Sequence, residues 1–366
     1  MIDLLVMIGV CFFLGNQIEI RSRKYISVRD AVKKNWTVKI LYFMLLLILI
    51  LFSGLRTTYN DTETYIQGYQ MLDVGSVNIF SFFEPYGGFT IFQMILKKYV
   101  SENPQVLILV SSIIVNSIFI HFYSKHSKYF GLIIFSHLIL GMYIFSMAGI
   151  KQIMAMSLSL FAIDNLLRKK YFKFIIWLLL SMTFHPYIVC LVIIPFFTKN
   201  IWNRKITIIL VVTLIISLNL ETLLNIAGII GKDYSIEEMT SYTVNPFRVL
   251  VEIVPVFFAW ISRKKLNKRN DQLLFLGINM MIINVLMISL GLLYNPIYFA
   301  RIGTYFSVLN AITIPKMLNV MYQGNDHRKA NILIYYSFYF IYFILDLTKL
   351  GAISITYDLF NHIWIF

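Results

Sequence analysis

Residues 36–70 read WTVKILYFMLLLILILFSGLRTTYNDTETYIQGYQ. From Ile40 to Phe52 the run is uncharged and almost wholly Leu, Ile and aromatic. As a helix rising about 1.5 Å per residue, Trp36–Gly54 is long enough to cross the hydrocarbon core of a bilayer. Arg56, Asp61, Glu63 and three tyrosines then follow at once. A membrane helix that ends in such a cluster delivers ionisable groups to the interface, where charge is costly unless it is paired or functional.

Outward from this stretch the same pattern recurs. The chain of 366 residues is 58% hydrophobic and 14% charged, and its mean hydropathy is +0.73. That composition excludes a disordered chain and most soluble classes. The fold class expected is an all-α polytopic integral membrane protein forming one membrane domain over residues 1–366, because no polar interval is long enough for a soluble domain. Net charge is +14, but the basic residues sit in short loops between apolar segments, so lipid and not nucleic acid is the expected anionic neighbour. Cys11 and Cys190 lie inside apolar runs and form no CxxC pair or disulfide framework. Ile2–Ile20, with no basic region before it and no small-residue cleavage site after it, reads as a retained helix.

The basic loops set orientation. Residues 21–39 hold seven Lys and Arg, RKKYFK at 168–173 holds four, and RKKLNKRND at 263–271 holds five. All three belong in the cytoplasm. Parity then requires that 87–100, short and carrying Lys97 and Lys98, lie in the interface, its lysines serving as anchors. It also requires that 172–197 enter and return. That segment breaks at His185-Pro186, since proline lacks an N–H and pushes the preceding residue out of helical geometry. Broken backbone at membrane depth needs protein or a wet cavity around it, so His185 is expected to face a cavity. About ten spans plus this re-entrant hairpin result, with extracytoplasmic loops at 55–88 and 225–248. The arrangement is compatible with a GT-C-like architecture.

On this map Arg56, Asp61, Glu84, Lys151, Arg248 and Arg301 collect on the outer face. Cations at helix ends there suit the phosphate or diphosphate of a lipid carrier. Asp61 and Glu63 have the spacing of a metal-binding Asp-x-Glu, which leaves a metal-using, polyprenyl-phosphate-sugar-dependent glycosyltransferase as an alternative. Tyr59 and Tyr65 can line a glycan groove or simply join an interfacial aromatic belt. A lipid-linked saccharide flippase is disfavoured by the lack of an internal repeat.

Several segments, in order, resemble the EpsG-like family of bacterial polysaccharide polymerases, related in role to Wzy polymerases. They are GLRTTYNDTETYIQGYQ (54–70), EPYGGFTIFQMIL (84–96), AGIKQIMAMSLSLFAI (148–163), the Phe-His hairpin at 172–197 and ARIGTYFSVLNAITIPKML (300–318). The chain departs from the family in carrying Lys151 where arginine is usual, keeping the charge but losing the bidentate fork. The resemblance implies transfer of a glycan from undecaprenyl diphosphate to the non-reducing end of a lipid-linked repeat unit, in the bacterial inner membrane at its periplasmic face. It implies Arg56, Lys151, Arg301 and Arg248 on the diphosphate and Tyr65, Tyr59 and Gln152 on the glycan. The base is open among His185, Asp61 and Glu84, with His185 favoured by its titration range. Neither cofactor nor metal is required by this chemistry. The partners implied are the lipid-linked donor and acceptor and membrane lipid, with room for a chain-length regulator protein; an O-antigen ligase would share the chemistry.

Overall fold

The computed structural model describes residues 2–75, 79–219, 243–349 and 355–357. The expected outer loop at 225–248 lies largely outside the described residues. Helices α1 (Ile2–Ser22), α2 (Val28–Lys34) and α3 (Trp36–Gly54) lead to a short strand, β1 (Arg56–Thr58), and to α4 (Thr62–Met71). A 3₁₀ helix (Ile79–Phe83) precedes α5 (Gly87–Tyr99), α6 (Gln105–His126), α7 (Phe130–Ile139), α8 (Met142–Ala148), α9 (Ile150–Leu167) and α10 (Tyr171–Phe184). A second 3₁₀ helix (Pro186–Phe197) precedes α11 (Arg204–Leu218), α12 (Pro246–Ile261), α13 (Arg263–Asn267), α14 (Gln272–Leu290), α15 (Pro296–Phe306), α16 (Asn310–Met321) and α17 (Arg328–Lys349). Strand β2 (Thr356–Tyr357) pairs antiparallel with β1.

The fold is all-helical apart from that small ribbon, as the composition requires. Among the described residues six helices (α1, α3, α6, α9, α14 and α17) are long and apolar enough to cross a membrane. The pair α7 and α8, bent by 47°, makes a seventh if it forms one span. Three of the ten expected spans take other forms. In their place stand the 15-residue α11, the 16-residue α12, and the successive shorter helices α15 and α16. The bend between α7 and α8 falls at Gly141, whose φ of +84° is open to glycine but strained for other residues.

Helix α3 shows why lipid must surround the chain. One stripe, Val38, Tyr42, Leu45 and Leu49, is buried, while Ile40, Phe43, Met44, Leu47 and Leu51 are exposed. Apolar residues thus face both inward and outward, and an exposed stripe of that size is stable only against hydrocarbon.

The chain resolves into two compact units. The first comprises Met1–Asp164, Phe172–His185 and Asp326–Phe366. In it α1 and α7 approach closely: a Cβ at Gly15 would lie 3.1 Å from Gly131 Cα, and one at Gly131 would lie 2.3 Å from Asn16 Oδ1. Small residues at such crossings let helices pack without a hydrophobic driving force between them. Glu19 Oε2 accepts from Gly131 N at 3.0 Å, an anion at the start of a helix. Helices α3 and α6 are joined by buried polar contacts, Ser53 Oγ to Ser112 Oγ at 2.6 Å and Asn116 Nδ2 to Ser53 Oγ at 3.2 Å.

The second unit comprises Asn165–Tyr171 and Pro186–Asn325. Its centre is α14, against which α12, α15, α16 and the second 3₁₀ helix pack. Asn279, fully buried on α14, donates to the carbonyls of Phe197 and Asn200 at 2.8 Å each and accepts from Trp202 N at 3.2 Å. The turn after the 3₁₀ helix is therefore fastened to the core through Asn279, and Ile201 N donates as well to Asn267 Oδ1 at 3.0 Å.

Candidate functional site

Arg56 follows α3 by two residues, and its side chain turns inward. The residue is 2% exposed. Nη1 donates to the Ser53 carbonyl in the last turn of α3, Nη2 to the Met147 carbonyl at the end of α8 at 2.7 Å, and Nε to Thr62 Oγ1 at 3.1 Å. The last carbonyls of a helix have no intrahelical partner, and a cation there meets the negative end of the dipole. One guanidinium thus caps two helices and, through Thr62, holds the first turn of α4. Gln105 Nε2 adds to the same knot, donating to the Gly54 carbonyl at 2.7 Å and the Arg56 carbonyl at 3.1 Å. Arg56, expected to present its fork to a diphosphate, here turns that fork onto the chain's own carbonyls, where it is buried. Beside it lies a small cavity whose polar side carries Ser53, Arg56, Ser112 and Asn116 and whose other side is apolar, with Ile108, Val115, Ile150 and Ile153.

Lys97 also differs from expectation. It is no mere headgroup anchor: Nζ donates to the carbonyls of Tyr69, Gln70 and Leu72 at 3.0, 2.8 and 2.8 Å, closing the C-terminal end of α4. Lys98 lies with Nζ 5.2 Å from the Tyr99 ring centroid.

Lys151 occupies the first turn of α9, just past the Gly149 turn that Arg56 braces through Met147. Its backbone N donates to Tyr65 Oη at 3.3 Å. Its ammonium, half-buried, lies 5.1 Å from the ring centroid of Tyr86 and 5.3 Å from that of Phe89. The Tyr65 and Phe89 rings meet at 5.9 Å. His185 sits at the break between α10 and the second 3₁₀ helix, is 7% exposed, and meets the Tyr86 ring edge-on at 5.3 Å and 85°. Its backbone N still bonds to the Ser181 carbonyl, so the helix ends at the residue before proline, as proline sterics dictate. Four residues distant in sequence, Tyr65, Tyr86, Lys151 and His185, are thereby linked. His185 is not among the residues lining the cavity beside Arg56.

The same unit holds other candidates. Asp61 is exposed at the start of α4. Glu63 is exposed and accepts from Gln67 Nε2 at 3.2 Å. Among the described residues no group of three His, Cys, Asp or Glu gathers. Glu84 is exposed in the turn before α5, and Gln152 is buried beside Lys151. Tyr59 is half-buried; burial pushes its hydroxyl pKa up, Asp346 adds to that, and Arg56 opposes it.

In the second unit Arg248 stands in the first turn of α12 and Arg301 in α15, both exposed. This unit also carries a part-buried polar pair that sequence reasoning passed over. Asn284 Nδ2 on α14 donates to Glu252 Oε2 on α12 at 3.1 Å. Gly303 makes room for it, since a Cβ there would lie 2.9 Å from Asn284 Oδ1. The signal was present: Glu252 is the only acid in a helix whose one other charged residue is Arg248.

Apolar helices that expose hydrocarbon on one face and gather ionisable groups at one end define a multi-pass membrane protein. The chain belongs to the EpsG family, whose family model matches residues 39–361; this is a family of Wzy-like polysaccharide polymerases. No curated protein and no solved structure matches the chain.

Proposed function

We propose that the chain polymerises a polysaccharide from lipid-linked repeat units, at the cluster formed by Lys151, Tyr65, Tyr86 and His185. In the reaction, a hydroxyl of the acceptor repeat unit attacks the anomeric carbon of a glycan carried on undecaprenyl diphosphate. A new C–O bond forms, the bond from the anomeric carbon to the diphosphate breaks, and the diphosphate leaves with its electron pair. The hydroxyl proton passes to a base, and a nearby cation offsets the charge that grows on the leaving oxygen. Lys151 supplies that cation. His185 supplies the base, because its imidazole lies beside the same ring as the ammonium.

In this reading Arg56 acts one layer behind, fixing the turn from which Lys151 projects. Asp61 and Glu84, exposed on the same outer loop region, contact sugar hydroxyls, with Tyr59 and Gln152 lining the approach. Arg301 and Arg248 give the second unit phosphate-binding chemistry of its own. The site faces the periplasm from a bacterial inner membrane, following the excess of Lys and Arg in the opposite loops.

The observation that carries the proposal is the ammonium of Lys151 at a helix start. A cation there meets the positive end of the helix dipole, so its position is unfavourable for the fold and suits an anionic ligand. The test is incubation of the purified full chain with diphosphate-linked repeat units, read as a ladder of lengthening lipid-linked glycans. A ladder that requires Lys151 is expected; an undiminished ladder from Lys151→Ala would overturn the assignment.

A further inference from the structure

The YGGF stretch at 86–89 carries a feature that neither the spans nor the charges account for. Tyr86 has φ +65° and ψ 11°, the left-handed region that side chains other than glycine, Asn and Asp seldom adopt. Holding an aromatic residue there costs on the order of 1 kcal/mol or more, and such strain persists only where the surroundings impose it. Here they do. A Cβ on Gly87 would fall 1.8 Å from the Ser81 carbonyl oxygen, and one on Gly88 would fall 2.1 Å from Thr183 Oγ1 and 2.7 Å from Thr183 Cβ. The backbone is thus pressed against the first 3₁₀ helix on one side and α10 on the other. Thr183 lies two residues before His185.

The consequence is where the Tyr86 ring goes. One neighbour is the Lys151 ammonium, 5.1 Å from its centroid; another is the His185 imidazole, with ring centroids 5.3 Å apart and planes at 85°. The ring touches both members of the proposed cation and base pair. A cation within about 6 Å of an aromatic centroid is attracted by the ring quadrupole, and an edge-to-face contact is a favoured aromatic geometry. Phe89 supplies a second face to the ammonium at 5.3 Å and is in turn packed by Tyr65.

We propose that Tyr86 is a positioning residue for glycan transfer, its strained backbone setting one aromatic ring against both Lys151 and His185 so that ammonium and imidazole are held at a fixed separation. The inference rests on the polymerase reading of this same cluster. It assigns the work to the ring and none to the hydroxyl, and it makes Gly88 a spacer that sets the loop's distance from α10.

The experiment uses the full chain in detergent or nanodiscs with purified diphosphate-linked repeat units. Tyr86→Phe keeps the ring and should retain at least about a third of the wild-type rate. Tyr86→Leu removes the ring and should lower kcat by about ten-fold or more, with donor KM changed by less than about three-fold, while size-exclusion profile and melting temperature stay close to wild type. The decisive measurement is a double-mutant cycle. If Tyr86 works through Lys151, Tyr86→Leu added to Lys151→Met costs little beyond Lys151→Met alone. Additive losses, or a Tyr86→Phe variant as poor as Tyr86→Leu, would overturn the positioning role. Should Tyr86→Leu prove unstable, Tyr86→Met, which fills similar volume without a ring, takes its place in the cycle. A wild-type chain that makes no ladder would instead sink the polymerase reading itself.

Discussion

Arg56 and Lys97 lie at the ends of helices, whereas Lys151 lies at the beginning of one, and the contrast separates two uses of positive charge in the same unit. Arg56 closes α3 and α8, and Lys97 closes α4, each donating to carbonyls that the helix leaves unpartnered. These cations stabilise. Lys151 stands where backbone N–H groups point outward, and its ammonium lies against the faces of Tyr86 and Phe89. A charge kept against the local field is better explained by a ligand than by the fold.

The sharpest way to break this contrast is Arg56→Ala. It leaves the Ser53 and Met147 carbonyls without their charged donor and opens a void next to an existing cavity. A charge-assisted hydrogen bond is worth roughly 1.5–3 kcal/mol, so the variant should lose about 3 kcal/mol or more of stability. Thermal unfolding in detergent measures it. Arg56→Lys should recover little, since one ammonium cannot span two helix ends and Thr62 together. A variant as stable as wild type would show that the knot at the end of α3 is not what fixes the Gly149 turn.

Lys151→Met should behave in the opposite sense. Its stability should move by less than about 1 kcal/mol, because the unfavourable dipole contact and the favourable aromatic contacts disappear together. Its polymerising activity should fall by about a hundred-fold, the usual scale for losing a group that stabilises developing charge. Lys151→Arg, which restores the residue usual in the family, should stay active. If Lys151→Met melted several degrees lower and Lys151→Arg failed equally, the lysine would be a structural cap like the others and the contrast would vanish.

The same contrast explains what could be read without coordinates. The apolar run at 40–52, the break at His185-Pro186 and the short amphipathic helix at 87–99 were all legible, because each is local: composition, one proline, a length. The β1–β2 ribbon was not, since strands of three and two residues carry no periodicity and their partners are almost 300 positions apart. Nor was the fate of Arg56. An arginine two residues beyond an apolar span looks the same in sequence whether it reaches out to headgroups or back to carbonyls. The outcome depends on Met147, 91 residues away. Tyr86 escaped notice for a related reason, as its ring is aimed by the packing of Gly88 on Thr183, which no window around residue 86 contains.

Lys97→Met should produce a smaller effect than either substitution above. Three carbonyls lose their donor, but one of those contacts is exposed and the other two are only part-buried, so water can replace the ammonium. A loss of about 1 kcal/mol is expected, seen as a modest drop in melting temperature with activity largely kept. A hundred-fold loss of activity would move Lys97 into the site and away from its role as a cap.

The start of α14 gives the finest test, because there the usual arrangement holds. Asp271 caps the helix, accepting from Leu274 N at 3.0 Å, and Lys316 pairs with the carboxylate from behind at 2.8 Å. An anion meets the N–H groups, and the cation meets only the anion. Burial pushes the Asp271 carboxyl pKa up, but Lys316 and the backbone N–H groups outweigh it and leave the value below the ordinary aspartate range. A carboxylate lowered on folding adds stability that is complete above the unfolded value of about 4 and is lost as pH falls through the lower folded value. Wild-type protein should therefore lose melting temperature below about pH 4 by an amount that Asp271→Asn does not, since asparagine still caps but cannot ionise. The pair is partly exposed, so the difference should not exceed about 1 kcal/mol. Equal acid sensitivity in the two proteins would mean that the ion pair adds nothing. The helix start bearing Lys151 would then lose its reference, and the cost of a cation placed directly against the N–H groups would have to be measured on α9 itself.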